Sequence, residues 1–355
     1  MSHPRVSVVM SVFNGETFLS EAIESILGQI FDNFEFLVID DGSTDRTPEI
    51  LSTYERQDPR VRIIRQENKG RATSLNIGIN LAKTEFIARM DADDISLPHR
   101  FREQIEFLDR HPEVGLLGGA VELIKDSDHV VTTVRPTTQD SEIQSLMLQG
   151  RNPMWHPTVV MRKEIVIAVG GYRKPLLDAD DYDLFLRMGE CSQIANLNKF
   201  VLKYRIHPNQ VSVRNMRHQV MCVFAARAAA SLRRCGKPDP LWHVENVTPE
   251  LLDSLGVTPE EIQRTLVDCY GYWMHLLKKV DGDSALRTIE EFVKLAGSGV
   301  GERSIVAEAW LAAAGIYYRQ RRPVRALISA ARALLLRPSL GIALIRAMPR
   351  LARAS

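Results

Sequence analysis

Acidic and amide side chains stand at the points where three predicted strands of the chain end. They are Asn14 after the first strand, Asp40 and Asp41 after the second, and Asp91, Asp93 and Asp94 after a later one. In open α/β sheets, ligands bind outside the carboxyl ends of the strands, so these side chains are the first candidates for a functional site. Two fixed carboxylates at such a position can hold a hard divalent cation, whose other coordination sites stay open to phosphate oxygens and water.

The pair formed by Asp91 and Asp93 is set apart by its position. An Asp-x-Asp pair alone is weak, since five occur in the chain, but only this pair directly follows an apolar strand. No Gly-x-Gly-x-x-Gly follows the first strand, and no Gly-x-x-x-x-Gly-Lys-Ser/Thr occurs in the chain. Dinucleotide oxidoreductases and P-loop kinases are therefore disfavoured.

Strand and helix signals alternate from residue 5 to about residue 119. This alternation predicts an α/β fold with a mostly parallel sheet and helices on both faces. Thr47 followed by Pro48 is typical of a helix N-cap with proline at the first helical position. From about residue 249 onward the pattern predicts an all-α region, including a helical hairpin over 307–338.

The 355 residues, 45% hydrophobic and 25% charged, have an ordinary globular composition. The length suggests one large domain and a smaller one, which we place at 1–215 and 216–355. A formal net charge of +1 hides an asymmetry, because residues 301–355 contain ten Arg and two Glu. The two parts of the chain are therefore interpreted separately.

The spacing of the cysteines and the length of the apolar runs indicate the cellular compartment in which the protein is expected. None of the four cysteines forms a Cys-x-x-Cys pair, so neither a zinc ribbon nor a disulfide framework is indicated, and a cytoplasmic location is expected. The N-terminal apolar run lacks a cationic segment and a cleavage site, so it is interpreted as a strand rather than a signal peptide. No stretch reaches the roughly 18 uninterrupted apolar residues of a membrane span.

Five motifs follow one another over about residues 4–210. They are SVVMSVFNGETFLSEAIESILGQ, FEFLVIDDGSTDRT, ENKGRATSLNIGI, ARMDADD and DADDYDLFLR. In this order and at these intervals they resemble the family 2 glycosyltransferases, which have the GT-A nucleotide-sugar-binding fold. The resemblance implies a hexosyltransferase that inverts the anomeric carbon and uses a nucleotide-sugar donor with Mn²⁺ or Mg²⁺.

The resemblance also implies a nucleotide site and a metal site. The positions that match nucleotide contacts are Ser11, Asp41 at the uracil ring, Arg71 or else Lys69, and Asp91. Asp91 and Asp93 match the pair that holds the ribose and the metal ion bridging the diphosphate, and His207 matches a region that sometimes adds a metal or diphosphate contact. Structural interpretations stay open, with Asp40 or Asp41 as turn caps, Arg71 as a solvated cation and His207 as a capping residue.

Asp181 matches the catalytic base of the family. The attacking hydroxyl of an acceptor loses its proton as the new bond forms, and a carboxylate within hydrogen-bond reach can accept it. The family commonly has Glu-Asp here, whereas this chain has Asp180 before Asp181, so Asp180 or Asp183 is an alternative base. Asp181 can also be an acid that stabilises a helix N-terminus.

Trp155 and His156 are candidates for the acceptor site, because aromatic faces suit sugar rings, although such residues are as often simply buried. The Gln-x-x-Arg-Trp motif of processive synthases is absent, so addition of a single sugar is expected. The arginine-rich tail is a solvated surface, a partner-binding hairpin or an interfacial helix attracted to anionic lipid. Nucleic acid is disfavoured, since no aromatic interleaving accompanies the arginines.

The sequence thus predicts an inverting transferase that moves one sugar from a nucleotide-sugar, expected to be UDP-linked, to a saccharide or lipid-linked saccharide in cell-surface glycan synthesis. The basic C-terminal helices are a candidate peripheral contact with the inner face of the membrane. One alternative is an inactive scaffold or binding subunit that acts through its helical C-terminal region. Another is a nucleotidyltransferase, which would be expected to have a glycine-rich basic loop after the first strand.

Overall fold

The computed structural model describes residues 4–125, 129–207, 210, 215–296 and 303–340. The chain divides into two compact units. The first consists of Met1–Arg205 and Met221–Leu255, and the second of Ile206–Val220 and Gly256–Ser355. The domain boundary predicted at residue 215 falls inside the short first segment of the second unit, and it stays a prediction.

The first unit contains every strand of the described chain. The strands are β1 (Val6–Val12), β2 (Phe34–Asp40), β3 (Val61–Arg65), β4 (Phe86–Met90), β5 (Ile95–Ser96), β6 (Val114–Ile124), β7 (Val130–Val134), β8 (Val160–Arg162) and β9 (Gln193–Arg205). The helices among and after them are α1 (Leu19–Leu27), α2 (Thr47–Gln57), α3 (Arg71–Leu81), α4 (Arg100–Arg110), α5 (Asp140–Leu148), α6 (Lys163–Ala168), α7 (Asp180–Gly189), α8 (Met216–Arg234) and α9 (Pro249–Ser254).

The strands form one sheet in the order β3, β2, β1, β4, β8, β6, β9, β5, with β7 paired to β6. β1 to β4 are parallel, and β8 runs antiparallel to both β4 and β6, so β6 and its parallel neighbour β9 share the direction of β4. The mostly parallel sheet is therefore confirmed. The short antiparallel strands β5, β7 and β8 are additions that the sequence analysis did not predict.

The register of the parallel strands brings their carboxyl ends together. Val12 of β1 pairs with Asp40 of β2, and Met10 of β1 pairs with Met90 of β4. β1, β2 and β4 are buried almost throughout, because apolar side chains on both faces of each strand pack into the core. The residues that follow these strands therefore emerge at one edge of a rigid sheet.

The predicted N-cap at Thr47 is wrong. Helix α2 begins at Thr47 itself, with Arg46 in the cap position, and Asp45 Oδ1 accepts the Thr47 backbone N–H at 2.9 Å. The Thr47 hydroxyl accepts the backbone N–H of Gly15 at 2.9 Å instead. The Thr47 hydroxyl therefore makes a tertiary contact with the loop after β1 and does not cap the helix.

The second unit is helical. It contains α10 (Pro259–Val280), α11 (Gly282–Leu295), α12 (Arg303–Arg319) and α13 (Pro323–Leu336). A capping box starts α10, since the Thr258 hydroxyl accepts the Glu261 N–H at 3.3 Å and the Glu261 carboxylate accepts the Thr258 N–H at 2.9 Å. α12 and α13 form the predicted hairpin. Within the described residues, no helix is both long and apolar enough to cross a membrane.

Candidate active site

The turn after β2 is shaped by Asp40 and Gly42. Asp40 is buried, and its Oδ1 accepts the backbone N–H of Ser43 at 3.0 Å, as a turn-capping aspartate does. Gly42 has a φ of +81°, and a Cβ at this position would lie 2.8 Å from the backbone nitrogen of Asn68. The turn therefore requires glycine, and Asp40 has a structural role.

Asp41 is buried, and both of its carboxylate oxygens accept hydrogen bonds from the next loop. Oδ1 accepts Gln66 Nε2 at 2.7 Å and the Lys69 backbone N–H at 2.9 Å, and Oδ2 accepts the Gly70 backbone N–H at 2.9 Å. A carboxylate has about four acceptor positions, so these three donors leave about one for a ligand. Asp41 fixes the loop that leads into α3, and the predicted uracil contact would share this carboxylate.

The end of β1 is joined to the turn after β2. Ser11 is half-buried and pairs with Ile39 in the parallel register. Asn14 has a φ of +53°, a conformation that asparagine tolerates better than most residues, and its Oδ1 accepts the Thr44 backbone N–H at 2.8 Å. The two loops thus form one rigid rim at the edge where Ser11 lies.

Asp91, Asp93 and Asp94 form an acidic cluster directly after β4. Each offers one carboxylate oxygen, and these oxygens all lie within 4.8 Å of one another. Asp91 and Asp93 are partly exposed, whereas Asp94 is buried. Asp94 was expected among the acids that follow this strand, but the metal ion was predicted only at Asp91 and Asp93, with His207 as a further candidate.

Asp94 is held from one side only. Its Oδ1 accepts the backbone N–H of Arg205 at 2.8 Å, while its Oδ2 is buried and has no hydrogen-bond partner within the part of the chain that the structure describes. Burial, together with the charges of Asp93 and Asp91, raises the pKa of Asp94 well above its usual value. A cation at this point would satisfy the orphaned oxygen and relieve the repulsion, so the donor set fits a hard divalent ion.

A buried arginine in β4 is a further member of the site that the sequence analysis missed. Arg89 is 1% exposed, and its guanidinium donates to Asp91 Oδ1 at 2.5 Å. The available signal was a charged residue inside the apolar strand FIARM. Arg89 orients the Asp91 carboxylate and offsets part of the negative charge of the cluster.

Helix α7 supplies three acids in its first turn, and the first of them is paired. Asp180 is fully buried, and its Oδ1 lies 2.7 Å from a guanidinium nitrogen of Arg71. Burial alone would lower the pKa of Arg71, but the charge of Asp180, assisted by those of Asp91 and Asp181, raises it above its usual value. Arg71 therefore joins α3 to α7 and lies within electrostatic reach of both groups of acids.

The third acid of α7 is enclosed by arginines. Asp183 is fully buried, and its Oδ2 accepts Arg173 Nε at 2.8 Å and a guanidinium nitrogen of Arg187 at 2.7 Å. Arg173 also pairs with Asp239 at 2.9 Å. Both arginines are buried, so Asp183 belongs to an internal ion-pair network.

Asp181 differs from Asp180 and Asp183 because it is partly exposed and forms an ion pair with no arginine within the described residues. Its Oδ2 accepts Asn152 Nδ2 at 3.3 Å. Burial, together with the charge of Asp180, raises the pKa of Asp181 to about 6. A carboxylate with this pKa is ionised at neutral pH and is a stronger base than an ordinary aspartate.

The two candidates for acceptor binding lie in different environments. Trp155 is partly exposed and meets Tyr204 edge to face, with ring centroids 4.8 Å apart. His156 is buried, its Nε2 lies 2.8 Å from the Tyr172 hydroxyl, and its ring packs against Phe185. Burial lowers the pKa of His156 well below its usual value, so this ring is a neutral member of the interior.

The remaining basic candidates are Lys69 and His207. Lys69 is exposed, and its backbone rather than its side chain contacts Asp41. His207 belongs to the second unit and is half-buried, and its backbone N–H donates to Gln210 Oε1 at 2.9 Å. Their roles at a nucleotide or a metal ion stay predictions.

Comparison with known proteins identifies relatives of this chain. A family model described as glycosyl transferase family 2 matches residues 7–170. The putative glycosyltransferase EpsE of Bacillus subtilis is 35% identical over 193 residues, covering 53% of this chain and 68% of EpsE. The O-antigen biosynthesis glycosyltransferase WbnJ of Escherichia coli is 30% identical over 206 residues, covering 57% of this chain and 80% of WbnJ.

Two solved structures share the fold at low sequence identity. The mannosyltransferase PcManGT from Pyrobaculum calidifontis, solved with GDP-Man and Mn²⁺, has a TM-score of 0.53 at 16% identity and covers 94% of this chain and 88% of its own. S. aureus TarS 1-349, solved with UDP-GlcNAc, has a TM-score of 0.52 at 16% identity and covers 92% of this chain and 90% of its own. These similarities confirm the GT-A fold class followed by a helical region.

Proposed function

Because the chain belongs to glycosyl transferase family 2, we propose that it moves a single sugar, with inversion at the anomeric carbon, from a nucleotide-sugar donor to an acceptor hydroxyl. The observation that carries the proposal is the arrangement of acids around Arg71. Asp91 of the acidic cluster and Asp181 of α7 are both partly exposed, and the charge of each raises the pKa of Arg71. The site thus combines a cation-binding group with a separate base.

We assign the diphosphate end of the donor to the acidic cluster. Asp91 and Asp93 would hold Mn²⁺ or Mg²⁺, and Asp94 offers a third carboxylate oxygen within 4.8 Å of theirs. When bound, the ion supplies positive charge to the departing diphosphate without needing a proton. Arg71 adds a fixed positive charge beside this site, and Arg89 holds Asp91 in place.

We propose that the nucleobase of the nucleotide-sugar donor is uracil. Ser11 and Asp41 lie at the ends of adjacent parallel strands, where the nucleoside of a donor would meet the rigid rim formed by the two loops. Two solved proteins of this fold differ in their donors, since one was solved with UDP-GlcNAc and the other with GDP-Man. A UDP-sugar is therefore tested against a GDP-sugar rather than alone.

We propose that Asp181 accepts the proton of the acceptor hydroxyl. Asp180 is committed to Arg71, and Asp183 to Arg173 and Arg187, whereas Asp181 combines partial exposure with a pKa of about 6. As the acceptor oxygen attacks the anomeric carbon, its proton passes to the Asp181 carboxylate and the bond to the diphosphate breaks. A single displacement of this kind inverts the configuration of the sugar carbon.

The acceptor is proposed to be a saccharide or lipid-linked saccharide of a cell-surface glycan. The name of WbnJ supports this class, because it refers to O-antigen biosynthesis. Trp155 is the better of the two acceptor candidates, since its ring is partly exposed while the His156 ring faces Tyr172 in the interior. Membrane association through the basic C-terminal helices would suit a lipid-linked acceptor.

The experiment offers UDP-sugars and GDP-sugars with Mn²⁺ and a panel of saccharide acceptors, and measures release of the nucleoside diphosphate. We expect acceptor-dependent release from one UDP-sugar, and proton NMR of the product should show a β linkage from an α-linked donor. Retention of configuration would contradict the proposed single displacement. Tight UDP binding without release from any donor would favour an inactive scaffold or binding subunit acting through its helical region.

A further inference from the structure

Helix α13 of the second unit is packed with its small side chains inward and its large ones outward. Ala326, Ser329 and Ala333 are buried. By contrast, the aliphatic side chains on the opposite side are largely exposed. Their exposed fractions are 68% for Val324, 71% for Leu327, 48% for Ile328 and 83% for Leu335. A helix whose only role is to close a core buries its large aliphatic side chains, so this arrangement needs another explanation.

The exposed side chains form one continuous stripe. With 3.6 residues per turn, positions 324, 327, 328 and 335 lie on one face of α13, opposite the buried alanines. We call Val324, Leu327, Ile328 and Leu335 the aliphatic stripe. Scattered apolar residues on a surface need no explanation, but a stripe along a whole helix marks an interaction surface.

Two arginines beside the aliphatic stripe pack against aromatic rings. The Arg332 guanidinium lies 4.5 Å from the centre of the Trp310 ring, and that of Arg325 lies 5.8 Å from the centre of the Tyr317 ring. Both rings and both arginines line a cavity of about 340 Å³, together with Ile328. Stacking on the rings holds the guanidinium groups next to the aliphatic stripe, where they can meet anionic groups.

The charge of this hairpin indicates what covers the stripe. Residues 303–340 contain seven Arg and one Glu, with no Lys or Asp, and the single glutamate, Glu308, pairs with Arg337 at 3.0 Å. Glu290 and Lys294 of α11 also line the cavity, and Lys294 pairs with Glu291 at 2.6 Å. A second copy of the chain would bring a hairpin of the same positive charge, which disfavours self-association.

We infer that the aliphatic stripe and Arg325 and Arg332 dock the protein on an anionic lipid surface. The stripe enters the boundary between headgroups and acyl chains, and the arginines meet lipid phosphates beside it. The α13 helix lies in the plane of the membrane and does not cross it. The function of this docking rests on the proposed lipid-linked acceptor. Vesicle binding needs neither donor nor acceptor, so failure of the docking inference and failure of the proposed transfer can be distinguished.

The test is co-sedimentation of the full chain with phosphatidylcholine vesicles, with and without phosphatidylglycerol, at low and high salt. One variant combines Leu327→Ser with Leu335→Ser, and another combines Arg325→Gln with Arg332→Gln. The controls are Ile167→Ser, at an exposed isoleucine of the first unit, and Arg62→Gln with Arg102→Gln, at exposed arginines of the first unit. Circular dichroism checks that each variant is folded.

We expect the wild type to bind the anionic vesicles and salt to weaken the binding. The leucine variant should lose about tenfold in partition coefficient, because two exposed apolar side chains no longer enter the lipid. The arginine variant should lose binding to anionic vesicles only, and the controls should bind as the wild type does. Equal binding of the leucine variant and the wild type overturns the inference, as does absence of binding by the wild type. A wild-type dimer that the leucine substitutions convert to a monomer also overturns it, because the stripe then meets a second copy.

Discussion

Three acids within four residues of α7 have different surroundings, and these differences support the proposal of Asp181 as the base. Asp180 faces Arg71, and Asp183 faces Arg173 and Arg187, so both carboxylates already have cationic partners. Asp181 accepts an amide N–H from Asn152 and is partly exposed. A base must be reachable by the acceptor hydroxyl, and among these three acids Asp181 best meets this condition.

Replacement of Asp181 by Asn should abolish transfer while leaving donor affinity nearly unchanged. A base acts in the transition state rather than in binding, so we expect kcat to fall by a factor of about 10² to 10⁴. Transfer is measured by release of the nucleoside diphosphate, and donor affinity by calorimetry. Asp253→Asn, at an exposed helical acid, is the control and should behave as the wild type. An equal loss of transfer and donor binding would place Asp181 among the donor ligands.

The pKa of Asp181 predicts the pH dependence of transfer. Burial and the charge of Asp180 raise this pKa to about 6, so the carboxylate gains a proton and loses its basicity as the pH falls through 6. The kcat/KM value should be level above this point and should fall about tenfold for each pH unit below it. Donor binding measured at the same pH values separates loss of the base from loss of the metal ion. A profile that stays level to pH 5 would contradict the assignment.

At the residue scale, the sequence predicted the types of group better than their partners. The acids at the strand ends could be identified because strand ends are where ligands bind in such sheets. Arg89 was missed, and Asp94 was named among the acids after the strand but not as a metal ligand, because burial of a charged side chain depends on packing by distant parts of the chain. The pairing of Arg71 with Asp180, 109 residues away, could not be deduced from local pattern for the same reason.

At the element scale, Asp183 fixes the position of α7. Its carboxylate joins Arg187 of the same helix to Arg173 of the preceding segment, and Arg173 continues the network to Asp239. Arg187 also donates to the backbone carbonyl of Gly171 at 2.7 Å. Helix α7 therefore holds Asp181 at a defined place because the adjacent turn is locked by buried ion pairs.

The Asp183→Asn variant should be less stable than the wild type by about 3 kcal/mol, because two buried guanidinium groups lose their shared carboxylate. Urea denaturation at neutral pH measures the free energy of unfolding. The folded fraction of this variant should keep measurable transfer activity at low temperature. An Asp183→Asn protein as stable as the wild type but without transfer would make Asp183 the base instead.

The elements themselves were predictable to different degrees. β1 and β2 are largely apolar runs of seven residues, so their burial on both faces could be recognised from composition alone. β8 has three residues, and its pairing with β4 and β6 depends on tertiary context. The Thr47 cap failed for a related reason, since the hydroxyl accepts an N–H from another loop.

At the scale of the whole molecule, the two units have different chemistry. The first presents acids at the edge of a parallel sheet, and the second presents arginines and exposed aliphatic side chains on a helical hairpin. Overall net charge, which is +1, conceals this division. The helical hairpin could be predicted from the sequence, but the outward direction of its large side chains could not, because periodicity does not tell which face of a helix is covered.

The central claim is that the acidic cluster after β4 binds a nucleotide through a divalent cation. Calorimetric titration of UDP and GDP, with Mn²⁺ and with EDTA, tests it directly on the wild type and on Asp93→Ala. Asp253→Ala is the matched control, because it removes an exposed carboxylate elsewhere. We expect UDP to bind the wild type and the control with Mn²⁺ and not with EDTA, and we expect Asp93→Ala to lose this binding. Equal binding of UDP in EDTA, unchanged binding by Asp93→Ala, or no binding of either nucleotide with Mn²⁺ would contradict the claim.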